Sequence, residues 1–575
     1  MPIEYAWGPR PEGGNMWRFR LWAPDCDTVF LRLSGHDIAM QPEDDGWFIT
    51  RAEAHEGTQY AFVLPGGQVV PDPASRRQMG GVHGPSCLIH PRIPRRWAGR
   101  PWEETVICEL HVGTFTEEGT FRAAIADLPR LAETGFTAIE LMPIAQFGGD
   151  RGWGYDGVLP YAPHEAYGTP ADLAALVDAA HDNGMSILLD VVYNHFGPEG
   201  NFLPLYASDF FDTARHTPWG AGIDYTRPAV RRLFIENAIY WLEEFGFDGL
   251  RLDAIDQIVD PSEPDLLVEL AREVRQRQPG GAIHLTTEDN RNVTHLHERG
   301  RAGAVVLYSG EWNDDFHNAA HVLATGESDG YYKAFADDPI GHLGRALAEG
   351  FAYQGAEGRG EPSAHLRPTA FVDFLQNHDQ AGNRALGERL IGLTDADTLE
   401  ALTAILTLSP HIPLFFMGED YGETRPFPFF AHFGGDLDRA VREGRQAEFA
   451  EFAAFADAAV PDPVAEDTFL AAKLDPRRRD SPEGRAHAAR LKRLLRIRRE
   501  RIVPLLFHAA GHAGRVIAAA DGQLAVDWTL GDATLSLRAR FGAETLPPLG
   551  GGEVIHHACG PDAKAEAVLS LGPAR

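Results

Sequence analysis

The sequence predicts an α/β protein: a (β/α)8 TIM barrel with an N-terminal β-sandwich before it and a small C-terminal β domain after it. Three observations lead there. Over about 400 residues, short apolar runs alternate with amphipathic helical stretches, the rhythm of βα units around a parallel sheet. Ahead of that region lie brief aromatic and β-branched segments divided by Gly, Pro and Asp. After it, strand-like segments return, punctuated by glycine. The expected boundaries are 1–95 for the sandwich, 96–502 for the barrel with insertions and 503–575 for the closing β domain.

Each element has its own justification. MWRFRLWAP, DTVFLRL, GWFITRAEA and TQYAFVL supply the sandwich strands, and the Pro- and Arg-rich stretch 91–102 reads as a linker. Barrel strands are expected at 105–110, 137–142, 186–192, 247–253, 282–288, 303–309, 369–375 and 412–418. Helices run between them, as at 170–184 and 229–246. In the second of these, Leu233, Ile235, Ile239, Tyr240 and Leu242 form an apolar side and Gly246 is the C-cap. A last helix at 490–506 precedes RVIAAA, QLAVDWTL and ATLSLRARF, the strands of the tail.

Composition narrows the class of function. The 575 residues are 44% hydrophobic and 23% charged, as in an ordinary globular protein. With 52 Lys+Arg against 83 Asp+Glu, the formal net charge is −31. Such a surface repels phosphate backbones and anionic lipid, so neither nucleic acid nor membrane is an expected partner. Neutral sugars meet no such barrier. Four cysteines lie far apart with no metal-ligand spacing, there is no basic-then-apolar leader and no run of 18 apolar residues. The expectation is a soluble cytoplasmic protein.

Barrels place their chemistry at the C-terminal ends of the strands. Here the third strand ends DVVYNH, with Asp190, Asn194 and His195, and the fourth ends GLRLDA, with Arg251 and Asp253. The fifth ends LTTEDN with Glu288, and the seventh runs into QNHDQ with His378 and Asp379. Singly, each has a plain structural reading: Asp253 as a helix cap, Asp190 and Asn194 as loop formers, the histidines as packed side chains. Jointly they are confined to one rim, which independent caps would not be. Carboxylates gathered for an uncharged substrate point to glycoside chemistry, in which one carboxylate attacks the anomeric carbon and a protonated one feeds the leaving oxygen. Retention needs the pair only ~5–5.5 Å apart, which adjacent strands four and five can deliver through Asp253 and Glu288. Glu288 then needs a raised pKa, expected from the charges of Asp253 and Asp379. Arg251, two residues before Asp253, shares its strand face and can hold it ionised.

These four segments resemble the conserved regions of the α-amylase family of glycoside hydrolases (family 13). The resemblance implies a retaining mechanism with Asp253 as nucleophile, Glu288 as acid/base and Asp379 as the carboxylate that steadies the distorted sugar. It implies supporting roles for His195, Arg251 and His378, and makes Tyr155 in GWGYDG the aromatic beneath the cleaved sugar. It also makes the N-terminal sandwich similar to a carbohydrate-binding module. Longer segments, among them ELHVGTFTEEGTF (109–121), EWNDDFHNAAHVLATGES (311–328) and LFFMGEDYGETRPFPFF (414–430), resemble the branch of the family that acts on maltooligosyltrehalose. That branch cleaves the α-1,4 bond beside the terminal trehalose and releases trehalose and a shortened α-1,4-glucan oligosaccharide. The alternative is a branching enzyme or other α-glucan transferase. A non-catalytic sugar-binding barrel is disfavoured because all three carboxylates are present.

Remaining signals have two readings each. Trp153 and Trp312 are candidate sugar platforms, although aromatics more often lie in cores. Asp314 and Asp315 either bind glucose hydroxyls, as part of trehalose recognition, or cap a helix beginning near Phe316. No dense oxygen-ligand loop calls for calcium, though some α-amylase relatives bind it near the position of Asn194. The glycine-rich pieces lack a nucleotide-binding context. Neither metal nor cofactor is expected.

Overall fold

The computed structural model describes residues 5–574 apart from 218, 279–281, 356–358, 451–459 and 544. Eight parallel strands close a barrel: β1 (Ile107–Leu110), β2 (Ala138–Leu141), β3 (Ser186–Val191), β4 (Gly249–Leu252), β5 (His284–Thr287), β6 (Gly310–Trp312), β7 (Phe371–Phe374) and β8 (Ile412–Phe416), the last pairing back onto the first. Every residue of these strands is buried, because helices cover the outside and side chains fill the inside.

Seven of the strands fall within the segments that apolar patterning marks. The sixth does not. The apolar run 303–309 was the expected strand, but most of it lies in a loop with Val306 exposed, and the barrel strand is Gly310–Trp312. A buried glutamate explains the displacement. Glu311 lies on the face of β6 opposite Trp312, turned away from the barrel interior, and accepts a hydrogen bond from the Thr287 hydroxyl, with His297 beside it at 3.3 Å. Hydrogen-bonded polar groups let a strand be buried without looking apolar.

The helices follow from local signals. α1 (Pro170–Asp182) opens with a complete capping box between Thr169 and Asp172. α2 (Pro228–Tyr240) continues through one wider turn to Gly246, whose φ of 84° supplies the left-handed cap. α3 (Leu266–Arg277) follows β4 and is capped by Asp265. α4 (Asp314–Thr325) follows β6, and the short α5 (His378–Gly382) follows β7. α6 (Ala396–Leu408) leads into β8, and α7 (Pro482–Ile497) packs against α6 and the helix Leu128–Thr134.

At the N-terminus two antiparallel sheets face each other, with Phe19 of one edge-on to Tyr60 of the other at 5.3 Å. This unit is tied to the barrel through α2. Buried Glu236 accepts the backbone N–H groups of Ala6 and Trp7 at 2.8 and 3.1 Å, and the Trp7 indole donates to Ala229 O at 2.8 Å. At the other end five antiparallel strands, 509–520, 523–530, 533–541, 553–558 and 565–573, form one sheet. Its Trp528 indole donates to Leu347 O at 2.8 Å, on the helix Pro339–Glu349.

Arg498 fastens the bottom of the barrel. Its guanidinium is fully buried and donates to Thr407 O at 3.0 Å, Ser409 O at 2.7 Å and His411 O at 2.5 Å, closing the C-terminus of α6 and the entry to β8. Arg498→Ala leaves those carbonyls without a donor and is expected to cost about 2–5 kcal/mol of stability. Thermal or urea unfolding checks this, and the kcat of the folded fraction should stay unchanged because the site is at the opposite end.

Candidate active site

The rim residues are positioned by strand register. β4 and β5 pair Leu252 with Thr287, so the next residues, Asp253 and Glu288, stand level with each other. The Glu288 N–H donates to Leu252 O at 3.2 Å, and the Ile255 N–H donates to Glu288 O at 3.0 Å, which fixes both backbones. Ala254, between them, has a φ of 40°, a left-handed conformation that costs energy in a residue with a Cβ.

One guanidinium joins the group. Arg251 Nη1 donates to Asp190 Oδ2 at 2.6 Å and to Asp253 Oδ1 at 2.9 Å, while Nη2 donates to Glu288 Oε2 at 2.6 Å. The side chain is 1% exposed and its guanidinium carbon lies 4.3 Å from the centroid of the Trp312 ring. Asn194 completes the hold on Asp253, donating to Oδ2 at 2.9 Å and to the main-chain O at 2.8 Å. Both oxygens of Asp253 therefore accept hydrogen bonds, which presents it as an oriented carboxylate.

Glu288 is held differently. The Ala254 N–H also donates to Oε2, at 3.1 Å, so both bonds end on one oxygen and Oε1 is left to hold a proton. Burial pushes the Glu288 pKa up to about 8. Arg251 opposes the rise, and the charges of Asp253, Asp314 and Asp379 add to it. The expected push from neighbouring carboxylates is present but ranks below burial.

Asp379 sits in the first turn of α5, where Asn383 Nδ2 donates to its Oδ1 at 2.6 Å, and its pKa is raised chiefly by burial. His378 beside it stacks against Tyr155 with ring centroids 4.9 Å apart and 22° between planes. The Tyr155 hydroxyl donates to Asp190 Oδ2 at 2.7 Å. Asp190 is pushed up to about 6 by burial, against the pull of Arg251. Tyr155, Asp190, Asn194, Arg251, Asp253, Glu288, His378 and Asp379 thus form one connected cluster. His195 joins it through Asn194, and its Nε2 lies 3.0 Å from Tyr155 O.

Three expected substrate contacts lie elsewhere than anticipated. Trp312 is 2% exposed beneath Arg251, packed tilted on Phe374 at 5.5 Å, so it floors the site and offers no platform. Trp153 is 6% exposed, stacked on Phe427 at 5.5 Å and edge-on to His378 at 5.6 Å. It is so close to Gly382 that a Cβ there would come within 1.9 Å of its ring, so it backs α5. Asp315 is 1% exposed and accepts from Asn292 Nδ2 and Tyr353 N–H, each at 2.9 Å, and from Arg359 at 3.2 Å. It fastens loops. Neither Asp314 nor Asp315 caps α4, because Asn313 does. Asp314 remains at the site: Gln380 Nε2 donates to it at 3.2 Å, and burial, then Asp379 and Asp315, raise its pKa to about 7.

Two residues at the site escaped the sequence reading. Glu109, inside the apolar run of β1, contacts His378. Trp219, at the tip of the hairpin formed by Phe211–Thr217 and Gly220–Ile223, stacks on His195 at 3.9 Å and 13° while remaining 45% exposed. A charge within an apolar strand, and a tryptophan followed by glycine in a turn, were the available signals.

The sequence was compared with known proteins. The family "Alpha amylase, catalytic domain" matches residues 111–208, and a domain of unknown function (DUF3459) matches residues 511–574. A crystal structure at 1.4 Å of a candidate alpha amylase from Salmonella typhimurium is 52% identical, with a TM-score of 0.96, covering 99% of this chain and 100% of that one. A Malto-oligosyltrehalose trehalohydrolase from Deinococcus radiodurans is 42% identical over 545 residues, 91% of this chain and 89% of the relative. The chain belongs to the malto-oligosyltrehalose trehalohydrolase family. A second member, from Saccharolobus solfataricus, is 40% identical over 75% of this chain and 78% of its own length. The barrel with its flanking β units is accordingly an α-amylase-family glycosidase fold. Among the described residues no helix is long and apolar enough to cross a membrane.

A raised carboxyl pKa carries a stability cost of definite sign. Between its ordinary value near 4.5 and about 8, unfolded Glu288 has lost its proton while folded Glu288 keeps it, so folding weakens as pH rises through that window. Glu288→Gln removes this effect. The variant should melt higher than wild type at pH 7–8, with the difference shrinking toward pH 4.5, as calorimetry across pH would read.

Proposed function

We propose that this chain is a retaining glycoside hydrolase that cleaves the α-1,4-glucosidic bond next to the terminal trehalose of maltooligosyltrehalose, releasing trehalose. The observation that supports it most is the level pair Asp253 and Glu288, bridged by Arg251, in a chain 42% identical to a named trehalohydrolase.

In this reading the anionic Asp253, oriented by Arg251 and Asn194, attacks the anomeric carbon. Glu288 gives the proton on Oε1 to the departing glycosidic oxygen, and trehalose leaves. The glycosyl ester that remains has no charge at Asp253. One support of Glu288's raised pKa is then gone, and Glu288 can take a proton from the water that attacks the ester. Asp379 and His378 hold hydroxyls of the sugar at the cleaved bond. Trp219 offers an open ring face at the edge of the cleft, and Asp314 recognises the trehalose side. A cytoplasmic location agrees with the acidic composition and the sparse cysteines.

Resolving the products formed from maltooligosyltrehalose and from amylose tests the reading. Free trehalose from the first, with no branched glucan from the second, is expected; new α-1,6 branches would favour the transferase alternative. Glu288→Gln should lower kcat by about 10²–10⁴-fold, the usual worth of general acid–base help. Asp253→Ala should abolish turnover, and a trapped glycosyl adduct on any other residue would displace it as nucleophile. In wild type, kcat/KM should fall as pH rises through about 8, where Glu288 loses its proton. Asp314→Ala should reduce kcat/KM roughly ten- to hundredfold more for maltooligosyltrehalose than for maltooligosaccharides, the value of a charge-assisted hydrogen bond. Equal losses on both substrates would place Asp314 in catalysis generally.

A further inference from the structure

Glu109 is a charged side chain in the middle of a barrel strand, 1% exposed, and the mechanism above makes no use of it. Its carboxylate spans two groups of one residue. Oε2 accepts the backbone N–H of His378 at 3.0 Å, and Oε1 lies 2.5 Å from His378 Nδ1. These bonds cross from the first barrel strand to the loop after the seventh, joining segments 269 residues apart.

The clamp determines how His378 faces the cleft. With Nδ1 turned to Glu109, the ring lies against Tyr155 and edge-on to Trp153. Among the described residues Nε2 has no hydrogen-bond partner, and it is the nitrogen left to meet a sugar hydroxyl. We propose that Glu109 is a positioning residue for glycosidic cleavage, holding the His378 imidazole in one orientation and as a hydrogen-bond donor beside the sugar that Asp253 attacks. The inference rests on the function proposed above.

The charges around His378 support it. Burial disfavours the imidazolium, but the Glu109 charge and hydrogen bond, followed by Asp379, more than offset this, and the pKa lies above the usual histidine value. Arg251, from β4, opposes the rise. Of the other titratable neighbours, His111 at the end of β1 is held neutral by burial, its pKa lowered to about 3. Tyr155 is raised well above its ordinary value by burial and is neutral. Glu140, register partner of Glu109 on β2, is pushed far up by burial and has no hydrogen-bond partner on either oxygen among the described residues. Asp190 reaches His378 only through the Tyr155 hydroxyl. Glu109 is therefore the carboxylate in direct contact with the imidazole.

The experiment is a cycle of Glu109→Gln and His378→Gln, with Glu109→Asp as the conservative variant, measuring kcat and KM against pH on maltooligosyltrehalose. Glu109→Gln should lower kcat about tenfold or more with a smaller change in KM. In a Glu288→Gln background, where the acid no longer titrates, it should also move the alkaline weakening of maltoheptaose binding to lower pH by about one unit or more, the usual effect of removing an adjacent opposite charge. Glu109→Asp should restore the position of that limb even where kcat recovers only in part. In the His378→Gln background, Glu109→Gln should cost less than about threefold, because the residue it acts through is already gone. An unmoved alkaline limb of binding in the Glu288→Gln background, or fully additive losses, would overturn the proposal and leave Glu109 a packing group.

If Glu109→Gln does not fold, the Asp variant decides through the same cycle: additive loss with His378→Gln overturns the proposal, and non-additive loss supports it. A parallel cycle in a Glu288→Gln background, read by calorimetric binding of maltoheptaose, separates this inference from the proposed function. There the coupling between Glu109 and His378 is measured whether or not wild type releases trehalose.

Discussion

The buried guanidinium of Arg251 is the constraint around which the site is arranged. A charge taken out of water into a barrel interior costs several kcal/mol unless it is fully paired, and this one meets three carboxyl groups from β3, β4 and the end of β5. Because one fork touches all three, their relative positions are set by its planar geometry. The asymmetry between Asp253 and Glu288 grows from the same hub. Asn194 gives Asp253 a second donor on its other oxygen, whereas both bonds of Glu288 end on one oxygen. Two carboxyl groups a strand apart are thereby held in different ways.

Around that hub the protein accepts polar burial in layers. Trp312 lies below Arg251 and Glu109 is answered by His378, while on the outer face of the barrel wall Glu311 meets Thr287 and His297. Among the described residues Glu140 has no answering group, and burial pushes its pKa well up. A barrel interior filled with branched aliphatic side chains would pack better and fold more stably. The polar interior is the condition for holding several acids at one rim without their mutual repulsion opening it.

Much of this was legible in the sequence because it depends on local chemistry. Seven barrel strands show as apolar runs, the Gly246 cap shows as the glycine closing a helix, and the rim carboxylates show as polar residues ending those runs. What was hidden depends on contacts distant in the chain. β6 was misplaced because its central glutamate is buried against residues of other segments. Trp153 and Trp312 are core aromatics here, and flanking glycine or polar residues could not tell which side of a ring is covered. Asp314 and Asp315 are adjacent yet differ in role, because a helix turns about 100° per residue and sends one toward the cleft and the other toward Asn292 and Tyr353. Glu109 looked like part of a motif, and only the closure of β8 onto β1 brings its strand beside the loop after β7.

The join between the N-terminal sheets and α2 bears on how modular this chain is. Glu236 is a fully buried carboxylate whose donors include the main chain at Ala6 and Trp7, with Arg232 as a further neighbour at 3.3 Å. Cutting the chain in the linker would strip this acid of its two backbone donors and uncover the tyrosines on which Arg76 rests, Tyr161 and Tyr240. The isolated barrel would keep Arg232 as the partner of Glu236 but lose both main-chain donors, on a helix that flanks β4. The front unit is thus a fixed part of the catalytic body, and a chimaera that exchanges it must carry Ala6, Trp7 and Arg76 together with the α2 that receives them.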